Sequence, residues 1–255
     1  MSSALETTIR DLHRRKARER RGFTLAEGVR LVEEAVESGV QILGAVVSPN
    51  LESGERGRQL VAALERRDVL IERVGDESLV KLADTEHPQG VIAVVHSPNW
   101  SVADLQRNDQ RVVVVLDAVQ DPGNVGAILR TALGLGAAGV VALPGTAELT
   151  NPKVLRGSMG AYFRLPAVCL DFPQFEDWVE ENKMTVLVAD SGGVPIHETR
   201  ANGPVALVLG NEGGGVRPAL RTAGTAVAIR LVPGSESLNV AVAAGILLYE
   251  VMRER

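Results

Sequence analysis

The sequence predicts an α/β protein with two domains, and three observations lead to that prediction. Apolar strands alternate with amphipathic helical stretches along most of the chain, as βαβ units require. The chain has 255 residues, which is enough for one large or two small domains. Residues 97–109, which are rich in asparagine and charge, have the composition of a linker between two such series.

The first series follows a basic leading segment and occupies residues 23–96. In the stretch 29–38 the apolar residues Val29, Val32 and Val36 recur at helical spacing. The predicted strands are 23–26, 42–47, 69–74 and 91–95, and the predicted helices are 29–38, 56–66 and 76–83.

The second series begins with a run of apolar residues, Val112 to Leu116, which is typical of a parallel strand covered on both faces. Ser237 is expected to be the N-cap of the last helix, in which Leu238, Val242, Ile246 and Tyr249 follow one stripe. The other predicted strands are 139–143, one around 168, 185–189, 205–209 and 226–229, and the predicted helices are 125–135, 151–163, 174–182, 217–222 and 237–253.

Composition excludes several classes of protein. The chain carries 27 Lys+Arg against 32 Asp+Glu, a net charge of −5, which argues against a surface coated in positive charge. Aromatic residues make up only 3%, so the core must be aliphatic and few rings remain for stacking on bases. The single cysteine, Cys169, excludes a disulfide framework and a Cys-rich zinc site, and its apolar surroundings predict a buried side chain. With neither a signal peptide nor a membrane span in the sequence, a cytoplasmic protein is expected.

The segment from Arg10 to Arg21 holds the densest positive charge in the chain. Seven of its twelve residues are Lys or Arg, and a helix with a basic surface is predicted there. Two interpretations stay open, an ordinary solvated helix face and a contact with RNA phosphates.

The glycine pattern from Gly134 to Gly139 matches G-x-G-x-x-G but lies in the wrong context for a dinucleotide site. A dinucleotide fingerprint needs a strand before the glycines and a helix after them. Here a predicted helix precedes them and a strand follows, so they are interpreted as a helix C-cap and a tight turn.

Three segments of the second series place glycines and polar residues just after a strand, where α/β sheets bind ligands. The first runs from Asp117 to Arg130 and contains Asp-Pro-Gly-Asn, in which Asn124 is a candidate helix cap. The second, 209–216, surrounds Asn211 and Glu212 with glycines, which let the backbone approach a ligand closely. The third, 229–240, leads through Pro-Gly to Ser237 and Asn239.

Together these segments resemble a specific family. The patterns D-x-x-x-D-P-x-N-x-G-x-x-x-R-T-A, L-G-N-E-G-x-G and P-G-x-E-S-L-N-V, in this order, are similar to the three motifs of the SpoU/TrmH family of RNA ribose 2′-O-methyltransferases, within the SPOUT superfamily. The segments 23–35 (FTLAEGVRLVEEA) and 87–91 (HPQGV) resemble that family's N-terminal substrate-binding domain, which has a ribosomal-protein-like fold.

The resemblance implies a division into an N-terminal RNA substrate-binding domain at 1–100 and a methyltransferase domain at 110–255. The latter would be a parallel sheet with helices on both sides, with a trefoil knot built from about 205–250, and it would form a homodimer. The cofactor would be S-adenosylmethionine. Its predicted binding residues are Leu209, Gly210, Gly213, Ile229, Leu231 and Leu238.

The resemblance also implies a catalytic and RNA-facing set, namely Asn124, Arg130, Glu212, Ser237 and Asn239. The family's proposed activator of the ribose hydroxyl is Arg130. A guanidinium does not readily give up its proton and is a poor base, and an equally good role is to hold RNA phosphate and stabilise the developing alkoxide. Asn124 and Asn239 are expected to orient Arg130 and Glu212.

RNA contacts are expected at Arg14, Arg15, Lys16 and Arg18 of the basic segment and at Arg156. The favoured target is structured 23S-type ribosomal RNA. The alternatives are a tRNA ribose methyltransferase, an enzyme that protects ribosomal RNA from an antibiotic, and a non-catalytic RNA-binding protein that keeps the fold. The presence of Asn124, Arg130, Glu212 and Asn239 together argues against the last of these. No metal is expected.

Overall fold

A computed structural model describes residues 3–106, 112–235 and 237–253. The chain forms two compact units, the first made of Met1–Asn99 and Thr150–Arg164, the second of Trp100–Leu149 and Leu165–Arg255. The predicted boundary between 100 and 110 differs from this division in one respect, since residues 150–164 pack with the first unit.

Up to residue 99 the helices are α1 (Ala4–Leu12), α2 (Arg15–Arg21), α3 (Val29–Ser38), α4 (Pro49–Ser53), α5 (Glu55–Glu65) and α6 (Asp76–Val80), and the strands are β1 (Phe23–Glu27), β2 (Ile42–Val47), β3 (Leu70–Arg73) and β4 (Val91–His96). From residue 112 the helices are α7 (Pro122–Leu135), α8 (Pro152–Ser158), α9 (Phe172–Glu181), α10 (Pro218–Ala223) and α11 (Val240–Arg253), and the strands are β5 (Val112–Asp117), β6 (Gly139–Ala142), β7 (Ala167–Cys169), β8 (Thr185–Pro195), β9 (Val205–Gly210) and β10 (Thr225–Ala228).

The first unit is built on a mixed sheet in the order β1-β4-β2-β3. β4 pairs antiparallel with β1 and β2, and β3 runs parallel to β2. One face is covered by α1, whose Ile9 and Leu12 pack with Leu25, Val46 and Ile92 in an aliphatic core. The segment around α8 joins this unit through β1, where the Thr24 hydroxyl donates to the Thr150 carbonyl over 2.7 Å.

The second unit is built on a parallel sheet in the order β10-β8-β9-β5-β6-β7. Every residue of β5 and β9 is buried, as expected for central strands covered on both faces. This confirms the predicted α/β class with a parallel sheet. α11 packs on α7 and β9, so the C-terminal segment returns to the middle of the sheet, which is the path that the expected knot would require.

Several local predictions were wrong. The basic segment forms two helices, α1 and α2, separated by His13 and Arg14. α7 begins at Pro122 instead of Val125, and its cap is Asp121, whose carboxylate accepts the Asn124 N–H over 2.8 Å. α11 begins at Val240, so Ser237 does not cap it.

Two predictions about short segments had opposite outcomes. Cys169, predicted to be buried, is exposed, because it is the last residue of the edge strand β7. The interpretation of the 134–139 glycines is confirmed, since Gly136 ends α7 with a positive φ of 81°. No described helix is long and apolar enough to cross a membrane, and among the described residues no cluster of His, Cys, Asp or Glu could hold a metal ion.

Candidate active site

The second unit has a cavity of about 570 Å³ at the carboxyl ends of its parallel strands. Its walls come from β8, from the loops after β9 and β10, and from the start of α11. Ligands of α/β sheets bind at this edge, and the volume lies in the ordinary range of about 300–1,000 Å³ for small-molecule sites. The six residues predicted to bind the cofactor all line it, namely Leu209, Gly210, Gly213, Ile229, Leu231 and Leu238.

Gly210 shows why the loop after β9 is rich in glycine. A Cβ at this position would lie only 2.2 Å from the backbone of Gly215 and Val216. The loop can therefore fold back on its own strand only with glycine there. Asn211 closes the turn, because its side-chain oxygen accepts the N–H groups of Gly213 and Gly214 over 3.0 and 2.9 Å.

A chain of side-chain hydrogen bonds joins the three motif segments beside this cavity. The Asn239 amide donates to Asn124 Oδ1 over 2.9 Å, and the Asn124 amide donates to Glu212 Oε1 over 3.0 Å. Glu212 and Asn239 also line the cavity. The three residues are separated by 88 and 115 positions in the sequence, so the fold brings them together.

Glu212 accepts hydrogen bonds at both of its oxygens. Besides Asn124, the backbone N–H groups of Gln120 and Asp121 donate to it over 3.3 and 3.2 Å. Burial pushes the pKa of Glu212 up, but hydrogen bonds from the Asn124 side chain and from backbone N–H groups outweigh burial and hold the pKa below its ordinary value of 4.5. Glu212 is therefore a carboxylate at neutral pH that fastens the 118–124 loop to the loop after β9.

Asn239 has two roles that the sequence did not separate. Its side-chain oxygen accepts the N–H groups of Ala241 and Val242 over 2.9 and 3.3 Å, so it caps α11 in place of Ser237. Its amide N–H remains available for Asn124. The alternative that Asn124 is only a helix cap is wrong, because Asp121 takes that place.

Comparison with known proteins places the chain in a family. A sequence profile described as the SpoU rRNA Methylase family matches residues 111–249, and one described as an MRM3-like substrate binding domain matches residues 7–93. The chain belongs to the SpoU rRNA methylase family.

Named relatives of similar length share the whole architecture. The chain is 34% identical to the 23S rRNA (guanosine(2553)-2′-O)-methyltransferase RlmP of Bacillus subtilis, over 98% of each chain. It is similar in structure to the SpoU methyltransferase AviRb of Streptomyces viridochromogenes in complex with AdoMet, with a TM-score of 0.87 and 30% identity, covering 99% of this chain and 98% of that one. The AdoMet-bound rRNA methyltransferase of Sinorhizobium meliloti gives a TM-score of 0.84 at 28% identity, covering 99% and 95%.

Two of the predicted catalytic residues lie apart from the polar chain of this SpoU protein. Arg130 is exposed on α7, and among the described residues it makes no hydrogen bond or ion pair. Neither Asn124 nor Asn239 is hydrogen-bonded to Arg130 among the described residues, so these contacts do not support the prediction that they orient it. Asn124 does bond Glu212, as predicted. Ser237 lines the cavity and is exposed.

Sequence reasoning missed an ion pair beneath the motif loops. Asp117, at the end of β5, is 1% exposed. Its Oδ1 pairs with the Arg217 guanidinium, and its Oδ2 accepts the backbone N–H of Arg217 over 2.8 Å. Arg217 also donates to the Pro144 carbonyl over 2.9 Å and stacks on the Phe172 ring at 3.8 Å. A carboxylate directly after the apolar run Val112–Leu116 was the available signal, because a buried charged group needs a partner.

The predicted RNA-binding residues differ in what they offer a ligand. Arg18 is buried and donates to the carbonyls of Leu12 and His13 over 2.8 and 2.9 Å, so it holds the turn between α1 and α2. Arg14 and Lys16 are exposed on the surface of the first unit.

The other two are engaged with carboxylates. Arg15 is exposed and pairs with Glu19 over 2.7 Å. Arg156 is paired with Asp84 over 2.6 Å and lies 3.6 Å from buried Glu27, and it lowers the pKa of Asp84 by hydrogen bonding. Its charge is used inside the first unit, which leaves less of it for RNA.

Proposed function

We propose that this protein transfers a methyl group from S-adenosylmethionine to a ribose 2′-OH of structured ribosomal RNA. The observation that carries the proposal is the hydrogen-bonded chain Asn239–Asn124–Glu212, which ties the first motif segment to a cavity lined by the second and third. Relatives with the same two regions are named as 23S rRNA 2′-O-methyltransferases, and the first unit matches a substrate-binding domain.

The residues around the cavity fit S-adenosylmethionine. Leu209, Ile229, Leu231 and Leu238 offer apolar walls for an adenine ring. Gly210 and Gly213 belong to the same lining, which also includes the charged residues Asp190 and Arg221, and these suit a charged amino-acid tail. When bound, this cofactor supplies a methyl group already activated on sulfur.

The protein's own task is then to place a ribose hydroxyl and manage its charge. Fixed geometry alone can contribute roughly 7–11 kcal/mol to such a transfer. Glu212 is a poor general base, since its pKa is lowered and its oxygens are occupied by donors. Arg130, exposed and without a partner among the described residues, is the group available to hold a phosphate and stabilise the developing alkoxide.

The homodimer is proposed through the second unit. On α11, Val242, Ile246 and Tyr249 recur at helical spacing and are exposed, with Tyr249 at 55%. Leu133 of α7, the helix that packs on α11, is also exposed. An apolar stripe of this kind marks an interaction site, so Ile246→Glu should convert a dimer to a monomer in light scattering. A monomeric wild-type protein contradicts this part of the proposal.

The RNA is proposed to reach the protein through local positive charge, since the chain as a whole is acidic. Arg14 and Lys16 are the accessible members of the basic segment. An enzyme with this substrate would act where ribosomal RNA is present, and the cytoplasm is the compartment that the proposal names.

The deciding experiment is methyl transfer from radiolabelled S-adenosylmethionine to ribosomal RNA and tRNA, followed by mapping of 2′-O-methylated positions. Wild type is expected to label one ribosomal RNA position. Arg130→Ala is expected to abolish transfer, with cofactor affinity by calorimetry within a few-fold of wild type. Labelling of tRNA alone contradicts the ribosomal target. A folded protein that binds no cofactor is a non-catalytic member of the fold.

A further inference from the structure

The first unit contains a cavity of about 370 Å³ that the proposed function does not use. It opens where β2 ends, where α6 begins and where the chain approaches β4. Its polar lining consists of Ser48, Asn50, Asp76, Glu86 and His87, and its apolar lining of Leu79, Val80 and Pro88.

Ser48 is the feature that indicates a ligand. It is 2% exposed, and its hydroxyl has no hydrogen-bond partner among the described residues. Its backbone is satisfied, because its N–H donates to the Gly90 carbonyl over 2.9 Å and its carbonyl accepts from Leu51 over 3.0 Å. It directly precedes α4, where a serine hydroxyl ordinarily caps the helix, yet it makes no such bond. A buried unpaired hydroxyl is costly in a folded protein, and Ser48 is one of the residues that line the cavity.

The charges around the cavity exclude an anion as the ligand. Among the described residues that line it, Asp76 and Glu86 are acidic, and His87 is the only basic one. A phosphate would be repelled, whereas a neutral group with N–H donors would find strong acceptors. Asp76 uses one oxygen for the Asn50 N–H at 3.3 Å, which leaves its second oxygen for a ligand.

The apolar part of the lining suits a flat ring. Val80 is 50% exposed, so its side chain is accessible to a ligand, and Pro88 lines the same cavity. Bases that enter protein pockets pack their faces on aromatic or apolar side chains while an edge is hydrogen-bonded. Adenine, cytosine and guanine carry an exocyclic amino group, and uracil does not.

We propose that this cavity binds one unpaired base of the RNA through its amino group and so selects against uracil. The inference rests on the proposed function, in that the substrate is RNA. Ser48 and Asp76 supply the buried and the charged hydrogen-bonding groups, and Val80 supplies the apolar face.

The first test uses Ser48→Ala in the full chain. Because the hydroxyl is unpaired in the free protein, its removal should leave the free energy of unfolding unchanged or raise it, while affinity for ribosomal RNA falls. A serine with only a structural role would show the reverse, with lower stability and unchanged affinity. That result overturns the proposal.

The second test follows the Val80 and Leu79 methyl signals by NMR while adenosine, cytidine, guanosine or uridine is added to the full chain. The amino-bearing nucleosides should shift these signals at concentrations at least about tenfold lower than uridine, as expected for a hydrogen bond to a charged acceptor. Asp76→Asn should remove the preference. Glu77→Gln is the matched control, since Glu77 is exposed on the same helix but does not line the cavity, and it should behave as wild type.

The outcomes separate this inference from the proposed function. Equal binding of all four nucleosides, or none, overturns the base site even if methyl transfer is intact. Selective nucleoside binding without methyl transfer to any RNA would leave the base site standing and overturn the proposed function. In the variants, S-adenosylmethionine affinity should stay at its wild-type value, because the cofactor cavity is lined entirely by residues of the second unit.

Discussion

Two polar clusters lie at the same edge of the parallel sheet and differ in burial. Asp117 and Arg217 form an ion pair around a carboxylate that is almost fully buried, with a ring and a carbonyl completing the arginine's contacts. The chain Asn239–Asn124–Glu212 lies on the exposed rim and ends at the cavity. Both join segments about a hundred residues apart.

This difference in burial indicates different roles, structural support for the buried ion pair and contact with the substrate for the exposed chain. A buried charge pair cannot lose one member without leaving the other desolvated, so the Asp117–Arg217 pair should govern whether the loop after β9 is in place at all. The rim residues are partly solvated and can be changed at low structural cost. They should govern what happens to a substrate once the loops are in place.

The largest effect is expected for Arg217→Ala, which leaves Asp117 buried without its charge partner. The free energy of unfolding should fall by about 3 kcal/mol, the low end for a broken buried pair, because the Arg217 side chain is 31% exposed. Urea denaturation measures this. Arg221→Ala removes an exposed arginine that lies 3.4 Å from Asp190, and it should cost less than about 1 kcal/mol. Equal losses in the two variants would show that the Asp117 pair gives no special support.

On the rim, Asn124→Ala should leave stability nearly intact and reduce kcat for methyl transfer about a hundredfold, the scale of losing one positioned hydrogen-bond donor. The N-cap of α7 is untouched by this change, since the Asp121 carboxylate accepts from the backbone N–H of residue 124, which any residue except proline provides. Single-turnover transfer measures the rate, and calorimetric titration with S-adenosylmethionine measures the affinity for the cofactor. A parallel loss of cofactor affinity and rate would place Asn124 in the cavity wall instead.

Features of the fold that depend on neighbouring residues could be predicted from the sequence, whereas features that depend on distant contacts could not. A run of apolar residues such as Val112–Leu116 is enough to predict a buried parallel strand. The first residue of α7 could not be predicted, because Asp121 and Asn124 are both good N-cap residues and only the conformation of the turn decides between them. The burial of Arg18 was invisible, since its acceptors are carbonyls freed by the break after α1.

The candidate site divides in the same way. The six cavity residues were predicted from the resemblance of the motifs to the family, and the general position of the cavity follows from the strand ends, which meet at one edge. The Asp117–Arg217 ion pair could not be predicted, because the two residues are 100 positions apart and no local sequence pattern identifies Arg217 as the partner.

A smaller effect distinguishes the two roles of Asn239. Serine caps helices about as well as asparagine but lacks an amide N–H to donate to Asn124. Asn239→Ser should therefore keep stability within about 0.5 kcal/mol while lowering the rate, and Asn239→Ala should lose about 1 kcal/mol as well. Thermal unfolding and initial rates, measured on both variants, settle the division. If serine restored full activity, the cap alone would explain Asn239.

The smallest effect concerns pH and Glu212. Its pKa in the folded protein lies below the ordinary 4.5 because hydrogen bonds from Asn124 and from backbone N–H groups outweigh burial. A lowered pKa contributes stability that is complete above the unfolded-state value and is lost as pH falls through the folded-state value. The difference in unfolding free energy between wild type and Glu212→Gln should thus be constant near neutral pH and shrink below about pH 4.5. It should be slight throughout, because the carboxylate is exposed to solvent. A difference that grows as pH falls would mean that the hydrogen bonds favour protonated Glu212, which would contradict the lowered pKa on which its exclusion as a general base rests.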